Sequence, residues 1–214
     1  MSGSAPTPSL SDLLAEHGTT YAAQAGITLR DKPSPLYELL VLTTLLSVRI
    51  RAEIAVAAAH ELFTAGWRTP TGMLDSTWQQ RVDAVGRGGY ARYDESTARY
   101  LADSAQQLLD SYGGDLRELR AAAAGDLSEL RRRLREFPRI GETGAHIFCR
   151  EAQAVWPELR PYFDRRALTT AGTLGLPTDP AQLGALVEPD RLANLAAALV
   201  RVNLRGTHTA KTRR

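Results

Sequence analysis

Helical periodicity is the feature of this sequence that most constrains its fold. Between Asp94 and the glycine pair at 113–114, apolar residues recur at the spacings of three and four that are typical of an amphipathic helix. These residues are Ala98, Leu101, Ala105, Leu108 and Leu109. Most of the remaining chain shows the same spacing, in segments bounded by Gly, Pro, Asp, Ser or Thr, which favour helix ends and turns. The sequence therefore predicts an all-α fold.

One segment is expected to lie at the centre of that fold. The stretch SPLYELLVLTTLLS, residues 34–47, is apolar on nearly all sides and follows a proline start at Pro33. A buried strand is the competing interpretation, but the length and the proline favour a helix. We predict a central helix here, and further helices at about 142–154, 164–174, 179–187 and 189–204.

Composition limits the classes of function. The chain has 214 residues, and its 26 basic and 24 acidic residues leave a net charge of +2, which permits binding to a polyanion without requiring it. Cys149 is the single cysteine, so the sequence excludes an internal disulfide and a four-thiolate metal site. The first residues lack the pattern of a signal peptide, and no apolar run reaches the roughly 20 residues that span a bilayer. We expect a monomeric cytoplasmic protein, associated with the nucleoid if it is bacterial, with no membrane partner and no cofactor.

The stretch FPRIGETGAHIF, residues 137–148, predicts two helices joined by a short turn. The N–H groups in the first turn of the second helix lack partners and attract anions. Gly141 would let the backbone approach a phosphate closely or adopt a positive φ, while Ile140 would anchor the turn. The pattern favours a phosphate-binding hairpin, but an ordinary αα-hairpin uses the same turn chemistry.

The order of four motifs resembles a known family. LLVLTTLLSVRIR, GRGGYARYDESTARYL, LREFPRIGETGA and YFDRRALTTAGTLGL follow one another between about Pro35 and Leu176. This order resembles that of the helix-hairpin-helix DNA glycosylases related to endonuclease III and the adenine-mismatch glycosylases. None of the motifs is strict, so the resemblance depends on their order and spacing.

The resemblance implies a two-lobed helical fold with double-stranded DNA in the cleft between the lobes. One lobe of six helices would comprise residues 35–155 with the hairpin at 137–145, and the other would combine residues 1–34 and 156–214. In the family, main-chain N–H groups of the hairpin hold a backbone phosphate, and the matching positions are Arg139, Ile140 and Gly141. Thr143, just beyond them, is expected to lie at the same contact.

The invariant aspartate of the family matches Asp164. The resemblance implies that this carboxylate stabilises the positive charge that develops on the deoxyribose as the glycosidic bond breaks, or activates the attacking water. A fixed carboxylate in a partly dry cleft is well suited to this task. Asp164 also stands where an aspartate would cap the helix of FDRRAL, and one carboxylate can serve both purposes.

Two departures from the family pattern affect the expected chemistry. Thr143 stands where the strand-cleaving members carry their Schiff-base lysine, and the chain has lysine only at Lys32 and Lys211. Arg139 replaces the first glycine of the hairpin and could exchange a backbone contact for a guanidinium contact. The iron–sulfur loop of four cysteines is absent as well. We therefore expect hydrolysis by water, without strand cleavage and without a metal.

Removing a base requires extruding it and filling the gap in the duplex. Arg49 matches the family's gap-filling position, and Arg51 is a candidate for a phosphate contact, although both could be solvated charges at a helix junction. Aromatic rings stack on extruded bases, but most aromatic residues belong to protein cores, so we expect one or two of the candidates to line a pocket. The five candidates are Tyr37, Tyr90, Tyr93, Tyr162 and Phe163.

The sequence therefore predicts a monofunctional DNA N-glycosylase that removes a damaged or mispaired base. A non-catalytic DNA-binding protein of the same fold, which recognises lesions or DNA structures, is the alternative. A helical protein–protein adaptor would require the hairpin match to be accidental. The motifs do not define which base is removed.

Overall fold

The computed structural model describes residues 9–211, with side chains as far as residue 202. Thirteen α-helices and no strands occur over the described residues, so the prediction of an all-α fold is confirmed. The helices are α1 Leu10–His17, α2 Tyr21–Gln24, α3 Pro33–Leu46, α4 Ala52–Thr64, α5 Pro70–Asp75, α6 Trp78–Arg87, α7 Asp94–Tyr112, α8 Leu116–Ala122, α9 Leu127–Leu134, α10 Glu142–Ala152, α11 Arg165–Thr173, α12 Pro180–Gly184 and α13 Leu192–Lys211.

Side-chain caps fix where many of these helices begin. Thr77 and Gln80 form a capping box at the start of α6, with reciprocal side-chain to backbone hydrogen bonds. Asp126 caps α9 by accepting from the N–H groups of Ser128 and Glu129. Each such cap satisfies N–H groups that the helix itself leaves unpaired.

Helix α3 is the central helix, as its sequence predicted. It begins at Pro33, and every residue from Leu36 to Leu45 is buried. It packs against α4 and α10, and makes smaller contacts with α7 and α8. Other helices cover α3 on all sides, which explains why its sequence is apolar all round.

The described residues form two hydrophobic cores. The larger includes α3, α4, α10 and the hairpin residues Phe137 and Ile140. The smaller joins α1, α11 and α13 through Leu13, Ala167, Leu195 and other residues. The chain passes from one core to the other between Tyr162 and Phe163.

Segments outside residues 35–155 also contribute to the larger core. Tyr21 to Ile27 and Trp156 to Tyr162 pack in it, and Trp156 Nε1 donates to Asp31 Oδ1 at 3.0 Å. Arg120 donates to the other oxygen of Asp31, also at 3.0 Å. The division of the chain into lobes at residues 35 and 155 stays a prediction.

Among the described residues, no helix has the length and apolar character needed to cross a membrane. The same part of the chain contains no cluster of three or more His, Cys, Asp or Glu side chains arranged to hold a metal ion.

Candidate nucleic-acid interface

The hairpin joins α9 to α10 through a turn that is anchored in the larger core. Phe137 and Ile140 are buried, and the Ile140 N–H donates to the Phe137 carbonyl at 3.1 Å. Ile140 therefore anchors the turn, as expected, but its N–H is already used within the turn. The N–H groups left for a ligand are those at the start of α10, which have no intrahelical partners.

The positive φ in the turn belongs to Arg139, at 67°, and not to Gly141. Gly141 has φ −89° and is the N-cap of α10. A Cβ atom added at Gly141 would meet no other atom within 4 Å. The protein itself therefore gives no steric reason for glycine at 141, and a group approaching from outside would benefit from the missing side chain.

The N-terminus of α10 is uncapped. No side-chain hydrogen bond caps it, whereas aspartate side chains cap α9 and α11. The end of α10 therefore offers N–H groups and partial positive charge to an anion.

Beside the hairpin lies a cavity of about 450 Å³ with three arginines in its wall. Its lining is Ser47, Val48, Arg49, Tyr93, Arg135, Phe137, Arg139, Ile140 and Gly141. A second cavity of about 170 Å³ shares Arg49 and Tyr93 with the first and adds Arg51, Arg92 and Tyr90. We call the two together the basic groove.

Three connections of the fold meet at the basic groove. Residues 47–51 join α3 to α4, residues 88–93 join α6 to α7, and the hairpin turn joins α9 to α10. The guanidinium of Arg139 lies over the ring of Tyr100, 5.1 Å from its centroid. The groove therefore gathers positive charge from segments that are distant in the sequence.

Most of the basic run RRRLRE on α9 is neutralised locally. Arg132 pairs with Glu129 and Glu136, and Arg133 also pairs with Glu129. Hydrogen bonding to Arg132 lowers the pKa of Glu129 to about 2. The arginines of this run are therefore largely engaged by the helix's own acids.

Glu142 braces the two helices of the hairpin. Its carboxylate lies 2.6 Å from Arg135 and 3.6 Å from Arg131 on the α9 side, and 3.2 Å from His146 Nε2 on α10. Arg135 thus lines the basic groove and is at the same time paired with Glu142, the first residue of α10.

Asp164 is the N-cap of α11 and is also one half of a buried ion pair. Its Oδ1 accepts from the Ala167 N–H at 2.9 Å, and its Oδ2 accepts from Arg150 Nη1 at 2.6 Å. Asp164 is 9% exposed and lines neither cavity of the basic groove. The capping role is confirmed, and the carboxylate lies at the passage between the two cores.

Helix α10 holds the segment before Asp164. Gln153 Nε2 donates to the Tyr162 carbonyl at 3.0 Å, and Gln153 Oε1 accepts from the Tyr162 N–H at 2.9 Å. The Tyr162 hydroxyl lies 2.5 Å from His146 Nδ1. Helix α10 therefore begins at the hairpin turn, and Gln153, directly after its last residue, holds the segment that leads to Asp164.

Seven of the twelve predicted site residues line the basic groove. Arg49, Tyr93, Arg139, Ile140 and Gly141 line the larger cavity, while Arg51 and Tyr90 line the smaller one. Thr143 is exposed in the first turn of α10.

Three of the five aromatic candidates lie away from the groove. Tyr37 is 0% exposed, and its hydroxyl is buried without a hydrogen-bond partner. A base-stacking role for Tyr37 is therefore wrong, because α3 is surrounded by other helices. Tyr162 and Phe163 are buried in the larger and smaller cores, respectively.

Sequence reasoning did not identify Arg92, Arg150 or Gln153 as site residues. Arg150 on α10 and Gln153, directly after its last residue, are buried, next to the apolar residues Cys149 and Ala152. Polar side chains among core residues of one helix are the signal that could have identified them, because buried polar groups need partners.

Comparisons with known proteins find similarity among solved structures. No protein-family model matches the chain, and no curated protein matches it. Among solved structures, a trapped covalent intermediate of endonuclease III with DNA, in an estranged-adenine complex, is similar to it. The alignment covers 92% of this chain and 85% of the other, with 16% sequence identity and a TM-score of 0.48. Nothing about activity follows from a likeness of this degree.

Proposed function

We propose that this protein is a monofunctional DNA N-glycosylase that binds double-stranded DNA and removes a damaged or mispaired base by hydrolysis. The observation that carries the proposal is the uncapped start of α10 at Gly141, which opens beside the arginines of the basic groove. The order of the sequence motifs supports the same function. We expect the protein to act as a monomer in the cytoplasm, at the nucleoid if it is bacterial.

The hairpin and the basic groove suit a DNA backbone. Backbone N–H groups at the start of α10 would donate hydrogen bonds to one phosphate, with the missing side chain of Gly141 allowing close approach. Arg139 and Arg49 face the same cavity and would bind neighbouring phosphates or the base left unpaired. Tyr93, in the wall of both cavities, is the aromatic best placed to stack on an extruded base.

Asp164 would supply the carboxylate for base release. Its N-cap bond and its pairing with Arg150 hold it in one orientation, and a preorganised negative charge stabilises a developing cation without reorganisation. The position of the family's lyase lysine is Thr143, which cannot form a Schiff base. Water is therefore the expected nucleophile.

Base release from labelled duplexes tests the catalytic part of the proposal. The duplexes would carry uracil, alkylated, oxidised or mismatched bases, and each reaction would be analysed with and without alkali. We expect strand breaks only after alkali, and their loss in Asp164→Asn. Asp115→Asn is the matched control, because Asp115 is also an arginine-paired N-cap. Breaks without alkali would contradict the monofunctional mechanism.

Gly141→Leu tests the DNA-binding part. The added side chain would project into open space, so the fold should tolerate it while a phosphate could no longer approach. We expect duplex affinity to fall at least about tenfold. Gly86→Leu is the control, since a Cβ at Gly86 also meets nothing within 4 Å. Equal affinities for the two variants would contradict the hairpin's role.

One observation favours the alternative of a non-catalytic DNA-binding protein. The Arg150 guanidinium opposes the negative charge of Asp164 at 2.6 Å, which weakens the attraction of that carboxylate for a developing cation. Tight duplex binding with no release from any of the lesions would establish this alternative.

A further inference from the structure

We infer that Arg150 is a positioning residue for base release, holding the Asp164 carboxylate in its reactive orientation. The inference rests on the proposed glycosylase function, and it concerns a residue that none of the sequence motifs singles out. Arg150 acts through Asp164 and is not itself a catalytic residue.

The carboxylate is held from two directions. Arg150 Nη1 contacts Oδ2 from α10 at 2.6 Å, and the Ala167 N–H contacts Oδ1 from α11 at 2.9 Å. Rotation about the terminal torsion of Asp164 would break both bonds. A carboxylate has about four acceptor sites, so this arrangement leaves others free for water or for the sugar.

The geometry of Arg150 differs from that of an ion pair optimised for stability. Arg150 is 3% exposed, yet its Nε is buried and lacks a hydrogen-bond partner. Arg117, by contrast, reaches the N-cap carboxylate of Asp115 with both Nε, at 2.9 Å, and Nη2, at 2.6 Å. Arg150 thus leaves a buried donor unused while it holds one oxygen of Asp164. Buried donors without partners are costly and are rare in folded proteins.

The location of Arg150 links the two parts of the site. It follows Gly141 by nine residues on one helix, which corresponds to about 13 Å along the axis. Gln153, the C-cap residue of α10, makes two hydrogen bonds to the backbone of Tyr162. The anion-binding end of α10 and the Asp164 carboxylate are therefore fixed relative to each other by a single rigid element.

The positive charge of Arg150 itself disfavours a developing cation, so its contribution must be orientation. Arg150→Met removes the hydrogen bond, whereas Arg150→Lys keeps a donor but changes its geometry. We therefore expect the neutral variant to lose more of the rate than the lysine variant, and neither to lose duplex affinity. A purely structural role would instead lower thermal stability and leave the rate of the folded protein unchanged.

The experiment compares single-turnover base release and duplex affinity in the full-length protein. The substrates are duplexes carrying uracil, alkylated, oxidised or mismatched bases, and thermal melting shows which variants fold. We expect release to slow about 100-fold in Arg150→Met and about tenfold in Arg150→Lys, with dissociation constants within about twofold of the unmodified protein. Arg117→Met is the matched control and should release bases at the unmodified rate.

Two outcomes would overturn the inference in different ways. If the unmodified protein releases a base and folded Arg150→Met does so at the same rate, Arg150 has no positioning role and the glycosylase function stands. If Arg150→Met does not fold, the lysine variant decides the question by the same criterion. If the unmodified protein binds every duplex and releases no base, the glycosylase function fails and the role of Arg150 fails with it.

Discussion

Gly144 of α10 lies against Ser47 at the end of α3, so that a Cβ atom on residue 144 would be 2.4 Å from Ser47 Oγ. The same atom would lie 3.1 Å from Ile140 Cγ2. Ser47 cannot move freely, since its hydroxyl donates to the Thr43 carbonyl at 2.7 Å. The start of α10 is therefore seated directly on the central helix, next to the basic groove.

Gly144→Ala should destabilise the fold by about 1–3 kcal/mol, because a methyl group forced into a packed contact displaces its neighbours. Urea unfolding would measure the change. Gly144→Ala combined with Ser47→Ala should recover part of the loss, since the oxygen in closest contact is removed. Gly86→Ala, where space is open, should be neutral or slightly stabilising. A Gly144→Ala protein as stable as the unmodified one would contradict this close contact.

Arg139→Gly should make the protein more stable and a weaker DNA binder. Arg139 has φ 67°, a conformation that is unfavourable by about 1–2 kcal/mol for a residue with a Cβ. Glycine relieves this strain but removes a guanidinium from the basic groove. Urea unfolding and fluorescence anisotropy with a labelled duplex would measure the two effects.

Ala124→Gly is the matched control for Arg139→Gly, because Ala124 is also a non-glycine residue with positive φ, at 49°. The Ala124→Gly protein should have a higher free energy of unfolding and an unchanged affinity for the duplex. Unchanged affinity in Arg139→Gly would show that the arginine does not contact DNA.

Glu151→Gln should destabilise the protein by about 1–3 kcal/mol. The two oxygens of Glu151 accept from the backbone N–H groups of Tyr21 and Ala22, at 3.2 and 2.9 Å. Glutamine has one carbonyl oxygen, so one of these N–H groups would face an amide donor. Urea midpoints at fixed pH would measure the loss, and equal midpoints would contradict it.

The pH dependence of this difference has a definite sign. Burial raises the pKa of Glu151 above its usual 4.5. Above that pH the unfolded chain releases a proton that the folded protein retains, so stability falls as pH rises through the folded pKa. Glutamine does not titrate. The stability advantage of the unmodified protein over Glu151→Gln should therefore be greatest near pH 4 and shrink as pH rises.

Cys149 should be unreactive in the folded protein. The thiol is buried, and burial raises its pKa to about 12, so almost no thiolate is present at neutral pH. Labelling with a thiol reagent should be slow in buffer and fast in concentrated urea. Rapid labelling in buffer would show that α10 opens readily on its inner side.

The sequence predicted the elements of this fold better than the contacts of its site. Helix α3 and the turn at PRIG could be predicted because each has a local signal in the sequence. The signals are an apolar run after a proline for α3 and a glycine before a helix for the turn. Residue type could not distinguish Tyr37 in the core from Tyr93 in the groove, because an aromatic ring suits both environments. That difference depends on which helices become neighbours.

Charge shows the same limit. The run at 131–135 concentrates four arginines just ahead of the hairpin, but most of them pair with acids three or four residues away or across the hairpin. The groove takes its positive charge mainly from Arg49, Arg51, Arg92 and Arg139, which lie in three separate connections. These four arginines become neighbours only when the chain folds, so no local spacing in the sequence predicts the groove.

Helix α10 sets the distance and the rotation between the hairpin turn and Arg150, the partner of Asp164. Because its residues advance by about 1.5 Å and turn by about 100° each, inserting one alanine between residues 145 and 149 would swing Arg150 to a different side of the helix. The groove would keep its arginines and Asp164 would still cap α11. Arg150, however, would no longer point towards the Asp164 carboxylate. The number of residues in this one helix is therefore a constraint on the site as strict as the identity of any side chain within it.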